Sequence, residues 1–311
     1  MMKPVYHDGE LAVQTRAGVR EMSARIGKSI RSTIPLAAQE FLSSQPMAVF
    51  SSIDSNGRVW ASLLTGNPGF MRTINERTVE IDALLLDGDP LQKNLETNPT
   101  VGMIVIEFAT RRRMRINGTA EITPDSKMLI HTEQVYANCP KYIQARSWES
   151  ANGPAKIDVE HSTELTDQQQ KWIVNADTFF IATYHPEGGA DASHRGGNPG
   201  FIRVIDANKI VWPDYSGNTM FQTLGNLSVY PNSGLLFIDF SSGSTLQLTG
   251  TAEIIWDENR IREFNGAERL VEYNITEAIE IKASNPMHWE FQSYSPFNPT
   301  VQVEENSESA E

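Results

Sequence analysis

The chain has 311 residues, 40% of them hydrophobic and 21% charged, which is the balance of a globular protein with room for two ordinary domains. Its 26 lysines and arginines stand against 39 aspartates and glutamates, a formal net charge of −13, so the field of the whole protein opposes phosphate backbones and anionic membrane surfaces. No apolar run approaches the ~20 residues that span a bilayer, and the single cysteine, Cys139, excludes an intramolecular disulfide.

In chain order, residues 1–45 read as an N-terminal helical segment whose first 31 residues have no apolar core of signal-peptide type. Residues 47–53 are a short apolar run ending at Asp54-Ser55-Asn56-Gly57, a turn that suits a hairpin. Strand pattern continues over 77–86; a helical turn then leads to Pro99, and strands are predicted at 101–108 and 113–122. Residues 125–142 read as helical, as do 166–174 with Thr166 or Asp167 as N-cap, so 123–176 is expected to be a helical connection. The strand pattern resumes at 179–184, ends at His185-Pro186-Glu187-Gly188-Gly189, and returns at 209–212 before a helical turn to Pro231. Strands follow at 235–240 and 245–255, where the alternation Leu246-Gln247-Leu248-Thr249 fits one buried face. Residues 257–283 read as a further helical stretch interrupted at Asn265-Gly266, and 303–311 as an acidic, Ser-rich, disordered tail, together forming a C-terminal segment over 257–311.

The two strand-rich stretches, 46–122 and 177–256, are copies of one unit. Ala61-Ser62-Leu63-Leu64-Thr65-Gly66-Asn67-Pro68-Gly69-Phe70 aligns with Ala192-Ser193-His194-Arg195-Gly196-Gly197-Asn198-Pro199-Gly200-Phe201 at an offset of 131. Leu95 and Leu227, Pro99 and Pro231, Ile106-Glu107-Phe108 and Ile238-Asp239-Phe240, and Gly118-Thr119-Ala120-Glu121-Ile122 and Gly250-Thr251-Ala252-Glu253-Ile254 align at 132. Short strands, Gly-rich turns and one helical insertion per copy predict a mainly β chain of two tandem small barrels, not a parallel α/β sheet.

The second copy resembles the FMN-binding split-barrel group related to pyridoxamine 5′-phosphate oxidase. The resemblance is carried by Asp191 through Phe201, by Trp212-Pro213-Asp214-Tyr215-Ser216-Gly217-Asn218, by Gly234 through Phe240, and by Leu246-Gln247-Leu248-Thr249-Gly250. The first copy is similar through Trp60 to Phe70, and the matched blocks span about half the chain. The resemblance implies a six-stranded antiparallel split barrel, FMN held without a covalent bond in the cleft between two barrels, and redox chemistry on a small molecule. One departure stands out. The oxidase holds the phosphate with several basic residues on its second strand and after its third. Here the aligned second-strand position is Ser193, with Arg195 two residues on, and residues 216–221 contain no Lys or Arg. The oxidase's C-terminal substrate segment is also not visible, so vitamin B6 oxidation is not expected.

A flavin site needs phosphate donors, an apolar slot and polar groups near the ring nitrogens. On a strand, Ser193 and Arg195 share one face and His194 takes the other. Arg195 offers a bidentate fork for phosphate and Ser193 a hydroxyl donor, while Asn218 and Thr219 belong to a turn whose N–H groups suit an anion. The resemblance places Pro213 and Asp214 along the flavin ring, and Gln247 is an amide available to the ring or ribityl chain. Arg113 and Arg115 of the first copy share a strand face and are candidates to meet the same anion. Each has a plainer reading: Arg195 as a surface ion pair, His194 as a packed histidine, the Arg111–Arg115 run as a solvated hairpin.

At the positions of His194 and Arg195 the first copy has Leu63 and Leu64, which cannot hold a phosphate, so one asymmetric cleft is expected. No catalytic acid or base is assigned; His194, His185 and Tyr215 are candidates by chemistry and position alone. The six scattered histidines show no metal-ligand spacing, and the expectation is a reduced cytoplasmic protein without a metal, nucleic-acid or membrane partner. The leading function is an FMN-dependent oxidoreductase acting on an unidentified small molecule. A non-catalytic flavin or haem carrier, and a duplicated scaffold whose site has decayed, are the alternatives. Two barrels in one chain form either a pseudo-dimer or half of a homodimer.

Overall fold

Strand β1 (Met47–Ile53) is buried at every position, because alternate residues serve two different cores. Ala48 and Phe50 enter the core of their own barrel, while Met47 and Val49 enter a second core shared with the other copy. That duplication of burial organises the whole molecule. A computed structural model describes residues 4–83, 85–150, 157–282 and 287–301.

Before β1 come the helices α1 (Asp8–Arg16), α2 (Arg20–Ile26) and α3 (Leu36–Ser44). The first copy then runs β2 (Val59–Thr65), β3 (Met71–Asn75), β4 (Thr78–Ile81), α4 (Leu91–Thr97), β5 (Thr100–Glu107), β6 (Arg112–Ile122) and β7 (Met128–Ala137). The strands β8 (Ala145–Ser150) and β9 (Asp158–Ser162) and the helix α5 (Asp167–Asn175) lead into the second copy. That copy runs β10 (Thr178–His185), β11 (Gly189–Gly196), β12 (Arg203–Asp206), β13 (Lys209–Tyr215), α6 (Gln222–Val229), β14 (Asn232–Ile238) and β15 (Thr245–Ile255). The short helix α7 (Glu258–Ile261) precedes its last strand, β16 (Ala267–Lys282), and β17 (Met287–Ser293) then pairs with β8.

The chain is two tandem split barrels. The strand order is β2-β1-β5-β6-β7-β4-β3 in the first and β11-β10-β14-β15-β16-β13-β12 in the second, the same path position by position. Each path has seven strands, one more than the resemblance implies, and β9 extends the second sheet through its pairing with β16. The first barrel is filled by Phe50, Leu64, Met103 and Ile116, the second by Phe179, Trp212, Phe237 and Tyr273. Between them Val49, Leu63, Ile104, Phe180, Ala192 and Leu236 form the shared core. Gly102 and Gly234, matched at 132, let the copies approach: a Cβ on Gly102 would lie 2.6 Å from Asp191 Cα, and one on Gly234 2.7 Å from Val59 O.

Two predicted helical regions are strands. Residues 125–142 contain β7, whose buried and exposed positions alternate, and 257–283 contain only the four-residue α7 before the sixteen-residue β16. Residues 257–283 hold six Glu and three Ala, which favour helices in isolation, whereas 125–142 carry no such bias; each segment closes its barrel by pairing with the long strand before it. Among its described residues the linker 123–176 therefore holds one helix, α5, capped by Thr166. The strand pattern predicted over 77–86 is realised only as β4. The acidic tail 303–311 lies outside the described residues. Among the described residues no helix is long and apolar enough to cross a membrane.

Candidate functional site

A cavity of about 550 Å³ opens where the second strand of the second barrel meets the sixth strand of the first. On β11 the side chains of Ser193 and Arg195 share a face, and Arg195 Nη1 donates to Ser193 Oγ at 2.6 Å. Arg115 of β6 reaches the same hydroxyl and pairs with Asp191 at 3.0 Å. Asp191 also accepts from Tyr136 Oη at 2.9 Å and lies within 3.4 Å of Asn117 Nδ2 and Thr223 Oγ1. On the opposite face of β11, His194 Nδ1 lies 2.9 Å from Arg113 Nη1. The guanidinium can only donate, so Nδ1 accepts and the remaining proton of the neutral ring is on Nε2. Burial, then the neighbouring guanidinium groups, keep His194 well below the usual histidine range.

The lining carries Arg16, Arg113, Arg115, Lys141, Arg195 and Arg269 against Asp214 and Glu268, a surplus of four positive charges in a protein whose net charge is −13. Burial and the proximity of Arg115 and Arg195 pull Arg113 down to about 9. Such a crowd of partly desolvated cations is stabilised by an anion. The chain runs through Thr219 (φ 60°) and Phe221 (φ 62°), both left-handed, into α6, whose first residues Gln222, Thr223 and Leu224 line the cavity. No side chain caps this helix, so its first N–H groups and positive dipole end are left for a ligand.

The walls are aromatic. Tyr142 and Tyr215 lie 5.1 Å apart between ring centres, and Arg269 sits 4.8 Å over Phe221 and 5.4 Å over Trp256. Arg269 is itself fixed by Asp214 at 2.8 Å. Five buried polar atoms on lining residues have no hydrogen-bond partner: Arg113 Nε, Arg115 Nε, Asn138 Oδ1, His194 Nε2 and Thr219 Oγ1. Buried polar groups are normally satisfied, and orphans gathered around one cavity mark a place built for a ligand or ordered water.

Of the residues singled out by sequence, Arg113, Arg115, His194, Arg195, Pro213, Asp214, Asn218 and Thr219 line this one cavity. Ser193 is fully buried behind it and orients Arg115 and Arg195. Gln247 is elsewhere: its Nε2 donates to Ala61 O at 2.9 Å and to Asp89 Oδ2 at 2.7 Å. At the offset of 132 Gln247 is the counterpart of Arg115, so the internal two-fold assigns it to the other cleft. That cleft is closed. Trp60 replaces Asp191 and packs with Ile279 and Ile281, while Leu63 and Leu64 replace His194 and Arg195 and are buried in apolar cores. The carboxylate of Asp89, at the counterpart of Phe221, accepts from Gln247 and from Leu91 N at 2.9 Å.

Arg16, Lys141, Tyr142, Trp256 and Arg269 are cavity residues that the sequence reading passed over. Arg269 falls in β16, read as a helix, and Arg16 and Lys141 are single charges outside the aligned blocks. His185 is outside the cavity lining. It accepts from Glu187 N and Gly188 N through Nδ1, meets Asp8 at 3.1 Å through Nε2, and stacks on His7 at 3.8 Å. Although His7, Asp8 and His185 are close enough to hold a metal, the two N–H groups at Nδ1 put the proton of His185 on Nε2, the atom a metal would need. The cluster fastens α1 to the second barrel.

Among solved structures, the chain is similar to HupZ of Group A Streptococcus, with 16% identity over 39% of this chain and 97% of that one and a TM-score of 0.32. It is also similar to HutZ, the heme storage protein from Vibrio cholerae, with 16% identity over 33% and 93% and a TM-score of 0.26. A third is an F420 reductase, with 15% identity over 32% and 93% and a TM-score of 0.23. Among curated proteins none matches the chain. The sequence profile of pyridoxamine 5′-phosphate oxidase matches twice, over residues 34–160 and 165–288, once for each barrel. The duplication is therefore a duplication of that unit, and the chain belongs to the pyridoxamine 5′-phosphate oxidase family.

Proposed function

We propose that the chain binds one FMN in the cleft between its two barrels and is an FMN-dependent oxidoreductase acting on a small molecule. The observation that carries this reading is the cavity in which Arg195 of one copy and Arg113 and Arg115 of the other converge beside the uncapped start of α6. Its volume is in the ~300–1,000 Å³ range of small-molecule sites. The donor set suits a phosphate: Arg195 and Arg115 are tied together through the Ser193 hydroxyl before any ligand arrives, so little ordering remains to be done. Tyr142, Tyr215, Phe221 and Trp256 supply faces for a planar ring.

When bound, FMN supplies hydride and single-electron chemistry. The chain's residues hold and orient it. Asp214, clamped by Arg269, keeps a fixed carboxylate in the wall. Tyr142 donates to Ser216 O at 3.0 Å, which ties the two copies across the cleft. Burial holds the hydroxyls of Tyr142 and Tyr215 above the ordinary tyrosine range, so both stay protonated donors at neutral pH. The fit to haem is poor. His194 is the single histidine in the lining, its Nδ1 is taken by Arg113, and its Nε2 carries the ring proton. The cleft is completed within one chain, so a second copy is not required.

The test is an absorption spectrum of the purified protein with mass identification of whatever is released on denaturation, followed by FMN titration. A charge-assisted hydrogen bond contributes about 1.5–3 kcal/mol, so Arg195→Ala is expected to weaken FMN at least about tenfold. Unchanged affinity, or a protein that ignores FMN altogether, sinks the proposal. Reduction of the bound flavin by NADH or NADPH supports turnover; a flavin that binds and resists every donor makes the protein a carrier.

A further inference from the structure

The one cysteine of the chain, Cys139, is part of the cavity wall and plays no part in the reading above. It lies on the link between β7 and β8, half-buried. The link is held at both ends: Asn138 N donates to Arg113 O at 3.2 Å, and Tyr142 Oη to Ser216 O at 3.0 Å. Arg113 and Tyr142 line the same cavity as Cys139. The thiol does not stand alone. Arg115, only 5% exposed, and His194, only 2% exposed, line the same cavity, and each has a ring or guanidinium nitrogen without a partner. These atoms call for a ligand independently of the sulfur. The positive surplus of the wall says which kind: it concentrates anions, in a protein that otherwise repels them.

We propose that Cys139 is a modification site for small anionic disulfides, such as tripeptide disulfides bearing carboxylates, and that the adduct closes the cavity to other ligands. In the reaction the Cys139 proton passes to solvent and the thiolate attacks one sulfur of the incoming disulfide. The bond between the two reagent sulfurs breaks as the new bond to Cys139 Sγ forms, and the other half leaves as a thiolate. Cys139 is oxidised to a mixed disulfide and the reagent is reduced to one thiol. The carboxylates of the attached half come to rest among Arg113, Arg115 and Arg195. A small thiol reductant reverses the step. The consequence is a cleft that fills only when the surrounding thiol pool is reduced.

Because the chain has a single thiol, reagent release reports Cys139 alone. The full-length protein is reacted with the dianionic disulfide 5,5′-dithiobis(2-nitrobenzoate) and with neutral 2,2′-dithiodipyridine, each rate normalised to a free small thiol. The anionic reagent is expected to gain about tenfold or more over the neutral one at low salt. The gain should collapse at 0.5 M salt, and Arg113→Met and Lys141→Met should each reduce it. No preference, or a preference that salt and both substitutions leave intact, overturns the proposal; Lys141 is outside the barrel strands, so its variant answers even if Arg113→Met fails to fold. The closing half rests on the flavin reading. The glutathione adduct is expected to lose FMN binding at least tenfold, with recovery on reduction, and an adduct that binds FMN normally overturns that half. An unmodified protein that does not bind FMN removes the flavin proposal and leaves the rate comparison standing.

Discussion

Asp191 gathers charge and hydrogen bonds from both copies. Its carboxylate faces Arg115, Asn117 and Tyr136 of the first copy and Thr223 of the second, all buried. Removing one partner of a buried ion pair costs about 3–5 kcal/mol, because the other charge stays desolvated and unpaired. Asp191→Ala is therefore expected to lose stability of that order in urea unfolding and to release Arg115 from its place in the cavity. Asp191→Asn, which keeps part of the hydrogen bonding, should lose less. At this scale the sequence was readable where alternation on a strand decides the face. Arg113 and Arg115, two apart on β6, and Arg195 on β11 reach one cavity. Gln247 lies apart from them: an offset of 132 says which residue it corresponds to in the other copy, but not that a two-fold between barrels separates the pair into different clefts. That separation needs coordinates.

At the scale of elements, α1 depends on two ionisable groups staying neutral. Glu10 closes a capping box with His7, and His7 Nε2 meets Asn226 Oδ1 of α6 at 2.8 Å. Burial raises Glu10 from 4.5 to about 8, and burial with the nearby His185 lowers His7 from 6.5 to about 4. Between 4.5 and 8 the folded state holds a proton on Glu10 that the unfolded chain has released, so the contribution of Glu10 falls as pH rises through that window. Between 6.5 and 4 the unfolded chain takes up a proton that folded His7 refuses, so the contribution of His7 falls as pH drops. The two slopes oppose each other from 4.5 to 6.5, and above 6.5 only the Glu10 loss remains. Thermal melts should therefore show stability declining from pH 6.5 to 8, and Glu10→Gln should flatten that decline; an unchanged slope in the variant would assign it to other groups. The prediction of elements from sequence succeeded where apolar runs end at turns, as in β1 and β10, and at α5, whose cap Thr166 was visible. It failed for β7 and β16. The four Glu and two Ala of β16 favour a helix, β7 has no run of alternating apolar residues long enough to mark a strand, and pairing with β15 and β6 decides both.

For the whole molecule, the repeat was legible because its matched blocks fall at turns and strand ends that any copy of the fold must keep. The difference between the clefts was legible in Leu63-Leu64, but what fills the closed one was not. Trp60, Asp89 and the pair Ile279 and Ile281 come from three distant segments. Calorimetric titration is accordingly expected to give one FMN per chain, and a stoichiometry of two would contradict the closed cleft. The shared core also ties folding to the site. A Cβ on Gly102 meets backbone atoms of Ala190 and Asp191, which cannot swing aside as the end of a flexible side chain could. Gly102→Ala should lose about 1–3 kcal/mol of stability through overpacking and weaken FMN as well, because Asp191 moves with it. A variant that melts normally and binds normally would show the copies to be less tightly seated than the 2.6 Å approach demands.

The shared core of Val49, Leu63, Ile104, Phe180 and Leu236 joins barrels that are already covalently linked. A cleft assembled from separate subunits is lost on dilution, since its walls part when concentration falls below the dissociation constant of the pair. Here the walls never part, and occupancy depends on ligand concentration alone, however scarce the protein. The linkage also frees each wall from serving twice. In a symmetric pair every substitution appears in both clefts, whereas in this chain a change to Leu63 leaves the working cleft's His194 untouched. One cleft was thereby free to become solid core while the other kept its charge.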